Sequence, residues 1–248
     1  MNRLLITFSL LLIAACRPEP KLPEAQEIVD RAIEVSGGEL YKTSRISFDF
    51  RGYHYVLEPQ ANNRVLKRIR ILETDTITDI KEGGNFKRLV NDSLVTVPDS
   101  MAIRYANSIN SVHYFAYLPY GLNDPAVNKK LLGEVLVDGK PYYEVQITFD
   151  REGGGKDYED VYIYWFNKET FKPDFLAYSF ESDGGGLRFR KAFNERYVGG
   201  IRFVDYYNFK SGRELHPSVL DSIYMADKLE ILSKIELRNI EVNPGSGS

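Results

Sequence analysis

Hydrophobic positions near residue 30 recur with the spacing of an amphipathic helix. In residues 23–36, PEAQEIVDRAIEVS, the apolar side chains fall on one stripe of such a helix. The stripe consists of Ile28, Val29, Ala32 and Ile33. Pro23 suits a first helical turn, and Gly37-Gly38 supplies a C-terminal stop. The pattern therefore predicts a helix over residues 23–36.

Most of the remaining chain alternates apolar and polar residues with the period of two that is typical of half-buried strands. Asn91-Asp92 is a turn signal between two such segments, and Asp138-Gly139 is the strongest hairpin signal in the chain. The predicted strands are 46–56, 63–73, 76–80, 86–90, 93–97, 131–137, 141–149, 161–166, 175–180, 187–193, 200–209 and 229–242. This series predicts a long antiparallel meander.

A second helical region interrupts the strands at about residues 98–118. Its apolar positions recur at helical spacing, and they are Met101, Tyr105, Ile109 and Val112. The helix is expected to end by Leu118, because a residue that precedes a proline is disfavoured in the helical conformation. His113 and Tyr114 lie four and three residues before Tyr117, so the three rings are neighbours on the helix. They are predicted to point together toward the sheet or toward the mouth of a cavity.

The hairpin predicted over residues 161–180 differs from the other strands, because its first strand is apolar on both faces. One face carries Val161, Ile163 and Trp165, and the other carries Tyr162, Tyr164 and Phe166. Such a strand is covered on both sides, by a helix layer on one and by more protein or a ligand on the other. The sequence therefore predicts an α+β fold, a curved antiparallel β-sheet (half-barrel) whose concave face is covered by the N-terminal helix and the helical insertion.

The N-terminal stretch MNRLLITFSLLLIAAC has the features of a bacterial lipoprotein signal. Its apolar part is shorter than the roughly 20 residues that a membrane-spanning helix needs. The final IAAC resembles a lipobox, so residues 1–15 are predicted to be removed and Cys16 to be lipidated. The alternative is a plain signal peptide followed by a chance cysteine. Arg17, in place of an aspartate that would resemble an inner-membrane retention signal, favours the outer membrane.

Composition favours a sizeable β-rich domain. Hydrophobic residues make up 43% of the chain, which has 17 tyrosines, 14 phenylalanines and a single cysteine. An aromatic excess is typical of sheets. The formal net charge of −3 is spread over both signs, so no nucleic-acid partner is expected. The predicted segments are a signal peptide (1–15), the lipidated cysteine and its tether (16–23), one half-barrel domain (24–242) and a flexible tail (243–248).

Four stretches of the sequence carry a family resemblance. They are EIVDRAIEVSGGELY followed by ISFDFRGYHY, then HYFAYLPYGLNDPAV, GGGKDYEDVYIYW and NERYVGGIRFVDYYNF. In these stretches the chain resembles a family of uncharacterised bacterial outer-membrane lipoproteins, which carries no established activity. The order of lipobox, helix and long antiparallel sheet is also similar to the lipoprotein-carrier half-barrel of the LolA/LolB type. That resemblance implies a fold that shields acyl chains, anchored on the periplasmic face or the cell surface.

The three histidines of the chain are far apart in sequence. His54, His113 and His216 form neither an HExxH motif nor a short Cys/His pair, so no metal and no other cofactor is predicted. His54 lies on the phenylalanine face of its predicted strand and is expected in the core or in a pocket. His216 precedes a proline in a polar loop and is expected to be exposed.

Charged residues flank the aromatic strands. The acidic loop over residues 150–160 does not match an EF-hand loop and favours a solvated hairpin connection. Asp160 adjoins the aromatic strand and is therefore the member of the loop expected to face a pocket. Arg188 and Arg190 share one strand face, where they could hold an anionic head group or form a solvated edge.

Three functional hypotheses follow. The first, which we favour, is a lipid-anchored module that binds a lipid, an acyl chain or another amphipathic ligand. Its predicted ligand-binding residues are His54, His113, Tyr114, Tyr117, Asp160, Tyr162, Tyr164 and Phe166. The second is a periplasmic or surface enzyme that pairs His113 or His54 with Asp160, although no GxSxG motif is present and no catalytic residue is assigned. The third is a scaffold subunit whose aromatic face meets another envelope protein.

Overall fold

The computed structural model describes residues 22–60, 63–154, 158–180, 185–212 and 215–245. The predicted signal peptide, Cys16, most of the tether and the end of the tail lie outside these residues. Across the described ranges, no helix is both long enough and apolar enough to span a bilayer.

The first helix, α1, spans Ala25–Ser36 and is followed by the short α2, Leu40–Thr43. It begins two residues later than expected, because Glu24 and Glu27 form a capping box in which the Glu24 N–H donates to Glu27 Oε2 at 2.9 Å. The predicted stop is confirmed, since the helix ends at Gly37 with a φ of 138°.

Seven antiparallel strands form sheet A, in the spatial order β14-β1-β2-β3-β4-β5-β6. Their bounds are β1 Ser44–Phe50, β2 Tyr53–Gln60, β3 Asn63–Ile71, β4 Thr76–Glu82, β5 Asn85–Val90, β6 Ser93–Val95 and β14 Arg238–Pro244. The turn predicted at Asn91-Asp92 connects β5 to β6, and both of its residues have positive φ.

Seven more antiparallel strands form sheet B, in the order β13-β12-β11-β10-β9-β8-β7. Their bounds are β7 Val127–Val137, β8 Lys140–Phe149, β9 Tyr162–Asn167, β10 Pro173–Phe180, β11 Gly186–Val198, β12 Ile201–Lys210 and β13 Glu230–Ile235. The Asp138-Gly139 hairpin is confirmed between β7 and β8, with φ values of 49° and 75°.

Helix α3, Asp99–Ala116, links the two sheets, and a 3₁₀ turn over Tyr120–Asn123 follows it. One core lies between the sheets and the helices. It includes Phe48 from sheet A, Val145 from sheet B and Ile28 from α1. Two open antiparallel sheets with a few helices confirm the predicted α+β fold class.

The strand predicted over residues 46–56 is a hairpin of two strands, β1 and β2. Arg51 and Gly52 form its turn with φ values of 49° and 77°. Because two residues turn the chain, Phe50 pairs with Tyr53 and the alternation of faces shifts by one residue. His54 therefore lies beside Asp49, on the face opposite Phe48 and Phe50.

The final predicted strand, 229–242, is also two strands. The break at Leu237 is held by side chains from sheet B, since the Leu237 N–H donates to Asp205 and its carbonyl accepts from Arg196. These contacts replace ladder hydrogen bonds as the chain leaves sheet B and pairs with β1 of sheet A.

The outer face of sheet B carries a second core under a short helix that the pattern did not predict. This helix, α4, spans Leu220–Met225. Trp165 and Phe189 pack beneath it with Leu220, and Tyr224 stacks on Phe189 at 5.0 Å. The Trp165 face of the doubly apolar strand is therefore covered by protein.

Candidate functional site

A partly open cleft of about 950 Å³ lies between α3 and the concave face of sheet B. The α3 residues that line it include Asn107, Ser111 and Tyr114, which follow helical spacing along one side of the helix. The other side of α3 packs on sheet A through buried residues such as Ile109 and His113. Residues of β8 to β13 form the facing wall, and the loop after β8 lines one end.

The floor of the cleft is aromatic. Tyr162 stacks on Tyr178 with ring centroids 5.1 Å apart, and it meets Phe149 edge to face at 5.7 Å. Tyr114 reaches the same Phe149 ring from α3 at a centroid distance of 6.3 Å. Tyr164 lies next to Tyr162 and is fully buried. These contacts form one continuous apolar surface from helix to sheet.

The tyrosine hydroxyls of this floor stay neutral at physiological pH. Burial raises the pKa of Tyr114, Tyr162 and Tyr164 well above the ordinary value of a tyrosine. The Tyr114 and Tyr164 hydroxyls lie near each other without meeting hydrogen-bond geometry, and neither has another partner among the described residues. Both are polar atoms that a ligand could satisfy.

Two arginines of β11 form the polar side of the cleft. Arg190 donates from Nη2 to Tyr178 Oη at 2.9 Å, and its guanidinium lies 5.4 Å from the centre of the Phe115 ring. Arg188 lies over Phe180 at 4.7 Å. Within the described ranges, neither arginine has a carboxylate partner. The cleft thus combines an aromatic floor with positive charge that no described carboxylate pairs.

Negative charge lies at a different place in the cleft. Asp160 lines it just before β9 and is only 6% exposed, so the structure brings this residue to the pocket. After burial, its charge is the next cause that raises the pKa of Tyr162. Asp124, which follows the 3₁₀ turn, also lines the cleft, and its Oδ1 lies 3.6 Å from Arg64 Nη2.

His113 and Tyr117 lie on the other side of α3, in the core against sheet A. The His113 Nε2 donates to the Lys67 carbonyl at 3.2 Å, and its Nδ1 accepts from the Tyr117 hydroxyl at 3.1 Å. Its ring packs edge-on against Phe48 and Tyr55. Burial lowers the pKa of His113 to about 4. Neither His113 nor Tyr117 lines the cleft, because adjacent helical positions face different sheets.

Two more predicted residues lie away from the cleft. His54 is on the outer face of sheet A, with its Nδ1 2.7 Å from Asp49 Oδ1. Phe166 is fully buried in the core between the sheets. The hydrogen bonds of His54 and His113 go to residues other than Asp160, so neither of the expected His–Asp160 pairs is formed.

Five aromatic residues that line the cleft are absent from the sequence prediction: Phe50, Phe115, Phe149, Tyr178 and Phe180. Tyr178 is separated from Leu176 by one residue, and the alternation in FLAYSF could have placed it on the Tyr162 face. Phe115 follows Tyr114 in the same helical turn, and no feature of the sequence pattern predicted that it lines a cleft. Arg188 and Arg190 line the cleft, which favours the head-group alternative over the solvated edge.

Comparison with protein-family models assigns the chain to a family. The model of a family of unknown function, DUF6503, matches residues 24–237. The chain belongs to this family. A comparison of this DUF6503 chain with curated proteins gives no match.

Solved structures show where the DUF6503 fold belongs. A LolA superfamily protein from Nitrosomonas europaea has a TM-score of 0.50 and 12% identity, over 92% of this chain and 96% of its own. A DUF1329 family protein from Desulfovibrio piger has a TM-score of 0.43 and 10% identity, over 91% and 96%. At such identities the likeness concerns the fold alone. The DUF6503 chain has a LolA-like fold, as its sequence resemblance implied.

Proposed function

We propose that the protein is a lipid-anchored envelope protein that holds an apolar or amphipathic molecule in the cleft between α3 and sheet B. The observation that carries this proposal is a cleft of about 950 Å³ with an aromatic floor and polar groups along its sides. Small-molecule sites have this size. The LolA-like fold supports the same kind of ligand, since half-barrels of that type shield acyl chains.

The ligand contacts the floor and the side of the cleft. Tyr114, Tyr162, Tyr164 and Asp160 remain from the sequence prediction, because all four line the cleft. Tyr178 joins them through its stacking on Tyr162. His54, His113, Tyr117 and Phe166 are not carried forward as ligand-binding residues, since each packs or hydrogen-bonds elsewhere.

The anchor is the acylated Cys16, and the outer membrane is the proposed location. The support is the lipobox-like IAAC with Arg17 after it, together with the proline-rich segment before α1. Cys16→Ser should abolish incorporation of labelled palmitate and release the protein from the outer-membrane fraction. Continued labelling of the Cys16→Ser variant would contradict the anchor.

Lipid uptake tests the binding proposal. Full-length protein purified in detergent and delipidated is mixed with bacterial lipid extract and analysed by native mass spectrometry. A bound lipid is expected, and Tyr162→Ala should weaken its uptake because it removes the centre of the aromatic floor. The matched control is Tyr207→Ala, a half-buried tyrosine on the outer face of sheet B that stacks on Phe193. A wild-type protein that neither carries nor takes up lipid would contradict the proposal.

The enzyme hypothesis has less support. Both ring nitrogens of His113 are hydrogen-bonded within the core, and His54 pairs with Asp49 on the outer face of sheet A. A general base must reach the proton that it removes. Neither histidine is placed in the cleft to do so.

A further inference from the structure

Arg188 and Arg190 occupy neighbouring rows of the concave face of sheet B. In the strand register, Arg190 is opposite Leu176 on one side and Asn208 on the other, and Arg188 is opposite Tyr178. Their side chains point to the same face because one residue separates them. Both guanidinium groups therefore border the apolar floor of the cleft.

The hydrogen bonding of Arg190 is incomplete. Its Nη2 donates to Tyr178, but its Nε is buried and has no partner among the described residues. The neighbouring Asn208 has a buried amide oxygen without a partner in the same part of the chain. An unsatisfied buried donor is rare in proteins and often marks a position filled by a ligand or by water. It also excludes a fully solvated edge at Arg190.

Charge pairing distinguishes these arginines from the cation beside them. Lys210 is opposite Arg188 on β12, and its Nζ lies 3.1 Å from Glu230 Oε2. Arg188 and Arg190 instead lie over the rings of Phe180 and Phe115. Stacking of this kind fixes the plane of a guanidinium and leaves its N–H edge free to bind an anion.

The acids of the cleft lie on other elements than the arginines. Asp160 precedes β9, and β10 lies between β9 and β11 in sheet B. Asp124 lies at the 3₁₀ turn, beside Arg64. The cleft is thus positive at its β11 side, aromatic across β9 and β10, and negative near the start of β9. An anionic amphiphile fits this order of surfaces in one orientation.

We infer that Arg188 and Arg190 bind the anionic head group of an amphiphile whose apolar part lies on the Tyr162–Tyr178 floor. This inference rests on the proposed function, because it names the chemical class of the ligand in the same cleft. Arg190 supplies the specific contact, since its free Nε–H can donate to a phosphate or carboxylate oxygen. Arg188 adds charge in the neighbouring row of the same face.

Three probes separate the head group from the chain. They are palmitoyl-oleoyl phosphatidylglycerol, the diacylglycerol with the same chains, and glycerol 3-phosphate. Each is added to delipidated full-length protein in detergent, and binding is measured by native mass spectrometry. The wild type should prefer phosphatidylglycerol over the diacylglycerol by about tenfold or more, the effect expected of charge-assisted hydrogen bonds. Glycerol 3-phosphate should bind far more weakly than the phospholipid.

Arg190→Gln should reduce phosphatidylglycerol binding to the level of the diacylglycerol without changing diacylglycerol binding. Arg190→Lys, which keeps the charge but loses the Nε–H, should retain part of the preference. Arg188→Gln provides a second test if the Arg190 variants do not fold. The matched control is Arg238→Gln, an arginine on β14 whose side chain is 75% exposed.

The outcomes separate this inference from the proposed function. Equal binding of phosphatidylglycerol and diacylglycerol, with both weakened by Tyr162→Ala, overturns the head-group inference and leaves the proposed function standing. If glycerol 3-phosphate binds as tightly as the phospholipid, the inference that the ligand is an amphiphile is wrong, and the site binds a free anion. A wild type that binds neither lipid overturns both.

Discussion

Helix α3 separates two pairs of arginines with different surroundings. On the sheet A side, Arg68 Nη2 lies 2.6 Å from one oxygen of Asp79, and Arg88 Nε lies 2.6 Å from the other. On the cleft side, Arg188 and Arg190 border the aromatic floor and have no carboxylate partner in the described part of the chain. The first two arginines share the carboxylate of Asp79, and the second two have no such ion pair among the described residues.

The difference shows that arginines in one fold can be paired with a buried acid or can lie at a cleft without a described carboxylate partner. A buried charge must be paired, because an isolated one is costly in a medium of low dielectric constant. Asp79 provides that pairing beneath α3, where Ser108 also accepts from Arg68. In the cleft, the partners of Arg190 among the described residues are the Tyr178 hydroxyl and aromatic rings. Stability measurements should therefore separate the two sides of the helix.

The largest effect is expected from Asp79→Asn. The substitution leaves Arg68 and Arg88 without their shared carboxylate, and the Asp79 side chain is only 3% exposed. Breaking a buried pair in this way costs about 3–5 kcal/mol of unfolding free energy. Urea unfolding followed by circular dichroism measures it. The control is Glu134→Gln, which breaks a more exposed pair with Lys168 and should cost about 0–1 kcal/mol. An equal loss of unfolding free energy in Asp79→Asn and Glu134→Gln would show that burial of the Asp79 pair adds no stability beyond that of a more exposed pair.

The next effect is a pH dependence on the sheet A side of α3. Burial lowers the pKa of His113 to about 4 in the folded state, whereas an unfolded histidine titrates near 6.5. The unfolded state therefore binds more protons in this window, and stability falls as the pH drops from about 6.5 to 4. His113→Gln, whose amide can still donate to the Lys67 carbonyl, should remove a loss of up to about 3 kcal/mol. An unchanged pH profile of the variant would show that the ring is accessible to water.

Glu144 should give the opposite slope, on the outer face of sheet B. Burial, and after it the charge of Asp221, raises the pKa of Glu144 to about 7. The folded state holds this proton, so stability falls as the pH rises from about 4.5 to 7. Glu144→Gln should match the wild type at pH 4 and exceed it at pH 8 by up to about 3 kcal/mol.

The His113 and Glu144 variants serve as controls for each other. In the wild type the two contributions oppose each other between about pH 4.5 and 6.5, because their slopes have opposite signs. In His113→Gln, the unfolding free energy should therefore fall as the pH rises, because only the contribution of Glu144 remains. In Glu144→Gln, it should rise with pH, because only the contribution of His113 remains. Chemical unfolding at a series of pH values measures both. Parallel profiles for the two variants would contradict both assignments.

The elements with a regular local pattern could be predicted from the sequence. The stripe of α1 and the Asp138-Gly139 turn depend on neighbours within a few residues. The turn at Arg51-Gly52 was missed, because an arginine with positive φ is unusual and the alternation looks continuous through it. The break at Leu237 was missed for another reason, since the side chains that hold it are distant in sequence.

The candidate site was predicted only in part, because its residues divide between two sides of one helix. His113 and Tyr114 are neighbours in sequence, yet one packs on sheet A and the other lines the cleft. The periodicity identifies a helical face but does not show that a second sheet lies behind the helix. The pairing state of Arg190 was not predictable either, since it depends on which acids the fold brings near.

The smallest effect is expected from Arg190→Gln, and it tests the cleft side of the comparison. No carboxylate among the described residues loses its partner, so the cost is about one hydrogen bond to Tyr178, roughly 1 kcal/mol or less. Thermal unfolding beside Asp79→Asn measures the difference between the two sides of α3. A loss as large as that of Asp79→Asn would make Arg190 a structural charge. A near-neutral result means that the fold does not require this guanidinium, as expected of an arginine that no described carboxylate pairs.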